Sequence, residues 1–184
     1  MAIQFEDFLS DIIPMVPGCP DSLIIHNVRQ AARELCEKSS CYVEDLDPMT
    51  VIPGIYEYDL DPPPNAIIHR IKWALLDGRY VEFAGTALMA ERYPNWREKD
   101  KRGVPKLIAQ IRPDAFWLCP VPQEKVKNGL IVHVILKPSQ KANSIQDRVA
   151  DEYRDAIING ALFRLLRLPS KDWTDLGGAK VYGA

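Results

Sequence analysis

The residue types in this chain that could support catalysis or metal binding are three histidines and four cysteines. His26, His69 and His133 stand in the tripeptides IHN, IHR and VHV, each flanked by apolar or structural residues. Histidine acts as a general base or a metal ligand when carboxylates or thiolates converge on it. No such partner stands at the spacing of a known motif, so the pattern favours His69 and His133 as residues on strand faces.

The cysteines contain no CxxC pair and lie far from the histidines, which argues against a zinc site. They are Cys19, Cys36, Cys41 and Cys119. Free, buried thiols are therefore predicted, although Cys36 and Cys41 could approach one another across a helix end. Neither a metal nor a cofactor is expected.

Catalytic motifs are also missing from the sequence. It has no glycine-rich phosphate loop, no GxSxG, no HExxH and no calcium-loop pattern. Asp45, Asp47, Asp59 and Asp61 fall near predicted strand ends and turns, where aspartate commonly bonds the local backbone. A carboxylate pair for acid–base catalysis stays open, but nothing selects one. We therefore do not expect an enzyme.

The composition is that of an ordinary globular chain. The 184 residues are 47% hydrophobic and carry a formal net charge of −2, which argues against a dedicated nucleic-acid binder. No apolar run approaches the roughly 20 residues of a membrane span, and the start MAIQFEDFLS lacks the features of a secretion signal. We expect a soluble protein that is made inside the cell.

The longest helical pattern runs from Asp147 to Pro169. Its apolar residues recur three or four positions apart, Asn143 or Ser144 offers an N-cap, and Pro169 ends the pattern, so one continuous helix is predicted. Gly160 costs this helix about 1 kcal/mol relative to alanine. Close approach of another helix backbone would offset that cost, and a functional kink is the alternative.

Two more helices are predicted near the N-terminus. Phe5 to Ile12 keeps a helical period until Pro14 stops it, and Leu23 to Lys38 carries a stripe of apolar residues. The pair Ala31-Ala32 in the second helix is small enough to meet Gly160-Ala161 across a helix crossing.

The middle of the chain, from Cys41 to Gln140, has short apolar runs separated by proline and glycine, which is typical of an antiparallel sheet or sandwich. Asp77-Gly78 predicts a hairpin between residues 66–76 and 79–83. A second hairpin is predicted over residues 107–119. Gly54 to Leu60 alternates as a strand would, and LIVHVIL at 130–136 predicts a strand buried on both faces.

Residues 85–106 separate the two hairpins. Gly85 to Arg92 predicts one or two helical turns, and the residues that follow are polar and rich in charge. Basic side chains outnumber the acidic ones there: they are Arg92, Arg97, Lys99, Lys101, Arg102 and Lys106. One interpretation is a solvated loop, and the other is a loop that contacts a partner subunit or nucleic acid. Trp96 favours contact, because an exposed tryptophan is costly.

The predicted fold is therefore α+β. Residues 1–40 and 141–184 are expected to form a helical bundle from the N- and C-terminal helices. Residues 41–140 are expected to form an inserted antiparallel β-sandwich or barrel-like module. After Pro169, Trp173 is a candidate loop anchor, and Ala179 to Tyr182 can begin a further helix or tail.

The order of motifs resembles a known family. It includes LSDIIPMVPGCP, the helix IHNVRQAARELCEKS, the stretch VIPGIYEYDL, the turn LCPVPQ and the strand LIVHVILKPSQ, followed by DRVADEYRDAIINGALFRLLRLPSKDWTDLGGAKVY. The chain resembles the head-to-tail connector, or adaptor, proteins of tailed bacteriophages, the group that includes the tail tubular protein A of short-tailed phages. The most specific piece is the last one.

The resemblance implies a non-catalytic virion protein that is assembled in the host cytoplasm. Such a protein forms a ring, typically of twelve copies, beneath the portal protein, and binds a tail nozzle, tail tube or further neck protein. Genomic DNA passes through the lumen without sequence-specific binding, and no membrane is involved. In this family a C-terminal helix and tail commonly reach the portal, and here only residues after Ala179 could do so.

A ring needs a heterologous interface whose rotation closes. We expect this interface on the outer faces of the two main helices, on the 92–106 loop and near the C-terminus. The candidate residues are Arg29, Arg33, Trp96, Arg97, Lys99, Lys101, Arg102, Arg154, Asp155, Arg164, Trp173 and Tyr182. A nucleic-acid- or peptide-binding module is the alternative function, and an enzyme is a third.

Overall fold

The helices and strands follow one another in the order helix, sheet, helix along the chain. The computed structural model describes residues 2–183. Within them, the α-helices are α1 (Leu9–Ile12), α2 (Asp21–Ser39), α3 (Thr86–Arg92), α4 (Asp147–Glu152), α5 (Arg154–Leu165) and α6 (Leu176–Tyr182). The strands are β1 (Ala2–Gln4), β2 (Val43–Asp45), β3 (Met49–Val51), β4 (Glu57–Asp59), β5 (Ala66–Leu76), β6 (Arg79–Phe83), β7 (Leu107–Arg112), β8 (Ala115–Cys119), β9 (Val126–Pro138) and β10 (Ser144–Gln146).

These elements form two compact units. The helical unit contains residues 2–42, 64–66 and 137–183, and the β unit contains residues 43–63 and 67–136. The predicted α+β fold with a barrel-like β module is confirmed, since the sheet has eight strands and is mostly antiparallel.

The helical unit is built on the packing of α5 against α2. A Cβ atom placed on Gly160 would lie 3.1 Å from the Cβ of Ala31, so the missing side chain lets the two helices approach closely. The predicted meeting of small residues at this crossing is confirmed. β1 and β10 pair beside the helices as a two-stranded antiparallel ribbon, and Phe5, Phe8 and Ile12 from the N-terminal segment are fully buried.

The single continuous helix predicted from Asp147 to Pro169 is wrong, because Tyr153 separates α4 from α5. Tyr153 has φ −117° and ψ 22°, outside the helical region. Its N–H still donates to the carbonyl of Val149 at 3.1 Å, and its carbonyl accepts from the N–H of Ile157 at 3.0 Å. The spacing of the apolar residues is therefore almost the same on both sides of Tyr153, so the sequence pattern does not show the break. Ser144, the expected cap, lies in β10.

The sheet of the β unit has the strand order β2-β9-β5-β6-β7-β8-β4, and β3 also pairs with β9. Both predicted hairpins are confirmed: β5 pairs with β6 around Asp77 and Gly78, and β7 pairs with β8. Asp77 has φ 50° and Gly78 has φ 74°, as a primed two-residue turn requires. The all-antiparallel expectation fails where β6 pairs with β7 in parallel, because α3 and the loop after it carry the chain back between them. An isolated parallel bridge also joins Gly103 and Pro122.

Two strands differ from their predicted extent. The alternating run from Gly54 to Leu60 is a strand only at Glu57–Asp59. The Tyr58 hydroxyl accepts from the N–H of Ile52 at 3.0 Å and donates to the carbonyl of Ile55 at 3.0 Å, so the preceding residues form a turn. β9 alternates between buried and half-buried side chains from Leu130 to Val134 and is buried on both faces only beyond that point.

Candidate interaction surface

The candidate residues are divided between the two units. Those in the helical unit are Arg29, Arg33, Arg154, Asp155, Arg164, Trp173 and Tyr182. Those in the β unit are Trp96, Arg97, Lys99, Lys101 and Arg102. Most of the arginines already have partners within their own unit, which divides the candidates into structural residues and exposed ones.

Arg29 and Arg33 bind the segment that follows β9. The Nε of Arg29 donates to the carbonyl of Ala142 at 2.6 Å, and Arg33 donates to the carbonyl of Pro138. Arg33 is only 9% exposed. The prediction that it lies on an outer helix face is therefore wrong, because a turn of the chain about 105 residues later covers it and needs its N–H groups.

Arg154 and Arg164 also connect elements of the helical unit. The guanidinium of Arg154 lies 2.6 Å from the carboxylate of Asp11 and 4.6 Å from the centroid of the Phe8 ring. Arg164 pairs with Glu34, and the hydrogen bonds from Lys38 and Arg164 hold the pKa of Glu34 below its usual range. Asp155, by contrast, is exposed and is the free charge on this face of α5.

Trp173 and Tyr182 line a cavity of about 420 Å³ beside α6. Met15, Pro17, Leu166 and Val181 supply its apolar wall. Around it, Leu176 is 62% exposed and Val181 is 76% exposed. The indole N–H of Trp173 is buried and has no hydrogen-bond partner among residues 2–183. The helix predicted at Ala179–Tyr182 is confirmed and begins earlier, at Leu176.

Trp96 is not the exposed contact residue that its polar loop suggests. It is 6% exposed and belongs to a core cluster of the β unit that includes Met89, Leu107 and Cys119. The prediction is wrong because the loop folds back and inserts this one side chain between α3 and the sheet. The polar neighbours in the sequence gave no sign of that burial.

Arg97, the next residue, is exposed and stacked on aromatic rings. Its guanidinium carbon lies 4.5 Å from the ring centroid of Trp117, 4.8 Å from that of Trp96 and 5.2 Å from that of Tyr56. We call these three rings the aromatic platform. Tyr56 and Trp117 were missed as members of a candidate site, because they stand 61 residues apart on different strands and no sequence spacing links them.

The other cations of the loop differ from Arg97. Lys99 and Lys101 are exposed, and Lys101 lies 3.7 Å from Asp100. Arg102 packs against Gly54, where a Cβ atom would lie 3.1 Å from the guanidinium. The positive φ of Gly54, 80°, and this close approach together require glycine there. Arg102 is therefore largely structural, and Lys99 and Lys101 remain free for contacts.

The potential catalytic residues occupy structural positions. His133 lies 2.6 Å from the carboxylate of Asp45 and stacks on Trp73, with ring centroids 4.5 Å apart. Cys19, Cys36 and Cys119 are buried free thiols and Cys41 is half-buried. In the part of the chain that the structure describes, no three His, Cys, Asp or Glu side chains are grouped to hold a metal ion. None of the helices formed by residues 2–183 is long and apolar enough to cross a membrane.

Comparison with known proteins identifies the family. The family model described as SU10 adaptor protein matches residues 5–182, almost the whole chain. No match is found among curated proteins. The resemblance to phage adaptors is thus confirmed at the level of the family, and both structural units fall within the matched range. The chain belongs to the SU10 adaptor protein family and is, by that membership, a structural adaptor protein of a bacteriophage.

Proposed function

We propose that this protein joins the head of a phage to its tail by forming a ring beneath the portal protein. The match to the SU10 adaptor protein family over residues 5–182 is the observation that carries this proposal. Its role is structural and non-enzymatic, and it is a component of the virion. The ring contains about twelve copies, as the resemblance to the tail tubular protein A group suggests, and it is assembled in the host cytoplasm.

The surface around α6 is the part of the helical unit best suited to bind the portal. Leu176 and Val181 are exposed apolar side chains on a short helix, next to an apolar cavity. Exposed apolar patches on a protein surface commonly mark binding sites for other proteins. We assign this surface, together with Trp173 and Tyr182, to the portal contact.

On the side away from the portal, the ring binds a tail nozzle, tail tube or further neck protein. The surface that remains for it and for neighbouring copies includes Asp155 and the free cations of the 92–106 loop. Arg29, Arg33, Arg154 and Arg164 contribute indirectly, because their intramolecular bonds fix the shape of the helical unit. Genomic DNA passes through the ring without sequence-specific binding.

Native mass spectrometry of the full chain, alone and with the portal protein encoded near it, tests the proposal. We expect a stoichiometric ring on the portal. The double variant L176E/V181E should lose portal binding at least about tenfold, because it places charge in an apolar contact. The variant K141E, at an exposed position of the helical unit outside α6, is the control. A chain that binds neither the portal protein nor the tail proteins would contradict the proposal.

A nucleic-acid-binding module is the second candidate, and the basic loop favours it. Residues 92–106 carry six basic and two acidic side chains. A nucleic-acid contact would make the binding of free duplex DNA fall steeply with salt. Titration of DNA at two salt concentrations separates this function from the adaptor function.

A further inference from the structure

Arg97 is held in place by the aromatic platform. The three rings contact one another as well as the guanidinium: the centroids of Tyr56 and Trp96 lie 5.2 Å apart, and those of Tyr56 and Trp117 lie 6.0 Å apart. A planar guanidinium stacked on such rings loses little further freedom when its N–H edge binds a partner. Arg97 is therefore preorganised for binding.

The donors of Arg97 are unused within the protein. Among residues 2–183, its guanidinium makes no hydrogen bond and no ion pair, although it carries five N–H donors. The carboxylate beside the platform, Glu57, is already occupied: it accepts from the indole N–H of Trp117 at 3.0 Å and lies 3.5 Å from Arg112. Other arginines of the β unit, such as Arg92 and Arg112, do have carboxylate partners.

The partner of Arg97 should be a protein carboxylate and not a nucleic-acid phosphate. Arg97 already occupies the platform, with its guanidinium carbon 4.5–5.2 Å from the three ring centroids, so a base could stack there only by displacing it. Tryptophan, tyrosine and arginine are also the residues most enriched at the centres of protein interfaces.

The same β unit carries a complementary acidic segment. Residues 39–69 contain six carboxylates and no lysine or arginine. Three of the six are paired within the unit: Asp45 with His133, and Glu57 and Asp59 with Arg112. Asp47, in the connection between β2 and β3, is exposed and its carboxylate has no partner in the described part of the chain.

The platform and Asp47 belong to opposite ends of the strand order. Trp117 of the platform lies on β8, which pairs with β4 at one end of the order. Asp47 lies between β2 and β3, which both pair with β9 at the other end. A ring needs two different, complementary patches on each copy. Asp61 follows β4, which pairs with the platform strand β8, so it belongs to the same end of the strand order as Arg97.

We propose that Arg97, held on its aromatic platform, binds Asp47 of a second copy of this chain and so forms the contact that links neighbouring β units. This inference rests on the proposed ring. It adds the residues and the polarity of the interface: each copy offers a guanidinium on one side and a carboxylate on the other.

Charge exchange tests the contact with the full-length protein and its portal. R97E and D47R should each weaken self-association at least about tenfold in sedimentation and native mass analysis, because each places like charges at the contact. The double variant R97E/D47R should restore it. An equimolar mixture of the two single variants should also assemble, because each supplies the charge that the other has lost.

Two control variants distinguish this specific contact from a general effect of changing the charge of the protein. K125E makes the same charge change at an exposed loop position of the same β unit without a platform, and D61R makes the same change as D47R on another turn. Both should assemble within about twofold of the wild type. Circular dichroism checks that every variant is folded, and D47R, which alters only an exposed turn, tests the contact even if R97E unfolds.

The possible failures are distinct. Wild-type rings with unchanged rings in R97E and D47R would overturn the Arg97 contact and leave the proposed function standing. An equal loss in K125E and R97E would also overturn it, in favour of a diffuse charge effect. A wild-type chain that never self-associates, even with the portal, would overturn both proposals.

Discussion

Cys41 follows the end of α2, and its sulfur faces the thiol of Cys36 in the last turn of that helix. The hydrogen bond from Cys36 lowers the pKa of the Cys41 thiol below its usual range, and a bond from Ser39 acts in the same direction. The pKa of Cys36 is raised, first by its hydrogen bond to Cys41 and then by burial. The pair therefore loses its first proton more readily than an isolated thiol does, and Cys41 is the residue favoured to carry the charge.

We predict that iodoacetamide alkylates Cys41 before the other three cysteines. Because a lowered pKa means that the thiolate already exists at neutral pH, the rate should level off below pH 8, where the rate of an ordinary thiol still rises. Peptide mapping by mass spectrometry would measure this. In C36A the donor is gone, so the pKa of Cys41 should rise and alkylation at pH 7 should slow. A Cys41 rate that climbs steadily to pH 9 in the wild type would contradict the prediction.

The burial of two side chains could not be predicted from the sequence alone. The types of Arg33 and Trp96 suggested surface contacts, yet both side chains are buried by parts of the chain distant in sequence. Their burial depends on tertiary contacts that no local pattern encodes. The aromatic platform was hidden for the same reason, since its rings come from three separate segments.

At the scale of elements, the crossing of α2 and α5 depends on Gly160. We predict that Gly160→Leu lowers the free energy of unfolding by about 1–3 kcal/mol, because its side chain would overlap Ala31. Chemical denaturation monitored by circular dichroism would measure this.

Two variants serve as controls for the crossing. Asn159→Leu, at the exposed neighbouring position, should change the free energy of unfolding by less than about 0.5 kcal/mol. Exchanging the small residues in the double variant A31G/G160A should remain close to the wild type, because volume and helix propensity are both conserved. Equal losses in Gly160→Leu and Asn159→Leu would refute a role for the close crossing.

Elements set by local chemistry were predictable, and elements set by long-range contacts were not. The β5–β6 hairpin follows from Asp77-Gly78, whose positive φ angles determine the turn. The break at Tyr153 keeps the hydrogen-bond spacing on both sides and so leaves no mark on the apolar period. The parallel pairing of β6 with β7 joins strands separated by α3 and a long loop, and only the folded chain decides such a pairing.

At the scale of the whole molecule, every strand of the eight-stranded sheet lies within residues 43–138, whereas α5 comes later. We predict that a fragment ending at Lys141 keeps slow hydrogen exchange in β5 to β9 but loses it in α2. The buried face of α2 would have no α5 to cover it, and a lone helix of 19 residues is marginal in water. Hydrogen–deuterium exchange with mass spectrometry, compared with the full chain, tests this, and protection of α2 in the fragment would contradict it.

The separation of α2 from α5 also imposes an order of events during translation. More than a hundred residues lie between the two helices, so a ribosome adding about 5–20 residues per second leaves α2 without its main partner for roughly 6–23 seconds. During that interval the whole β unit emerges and can fold. The part of α2 that packs on α5, which includes Ala31, stays uncovered on every nascent chain until α5 emerges. It is therefore the segment that chaperones must protect while the host makes many copies at once.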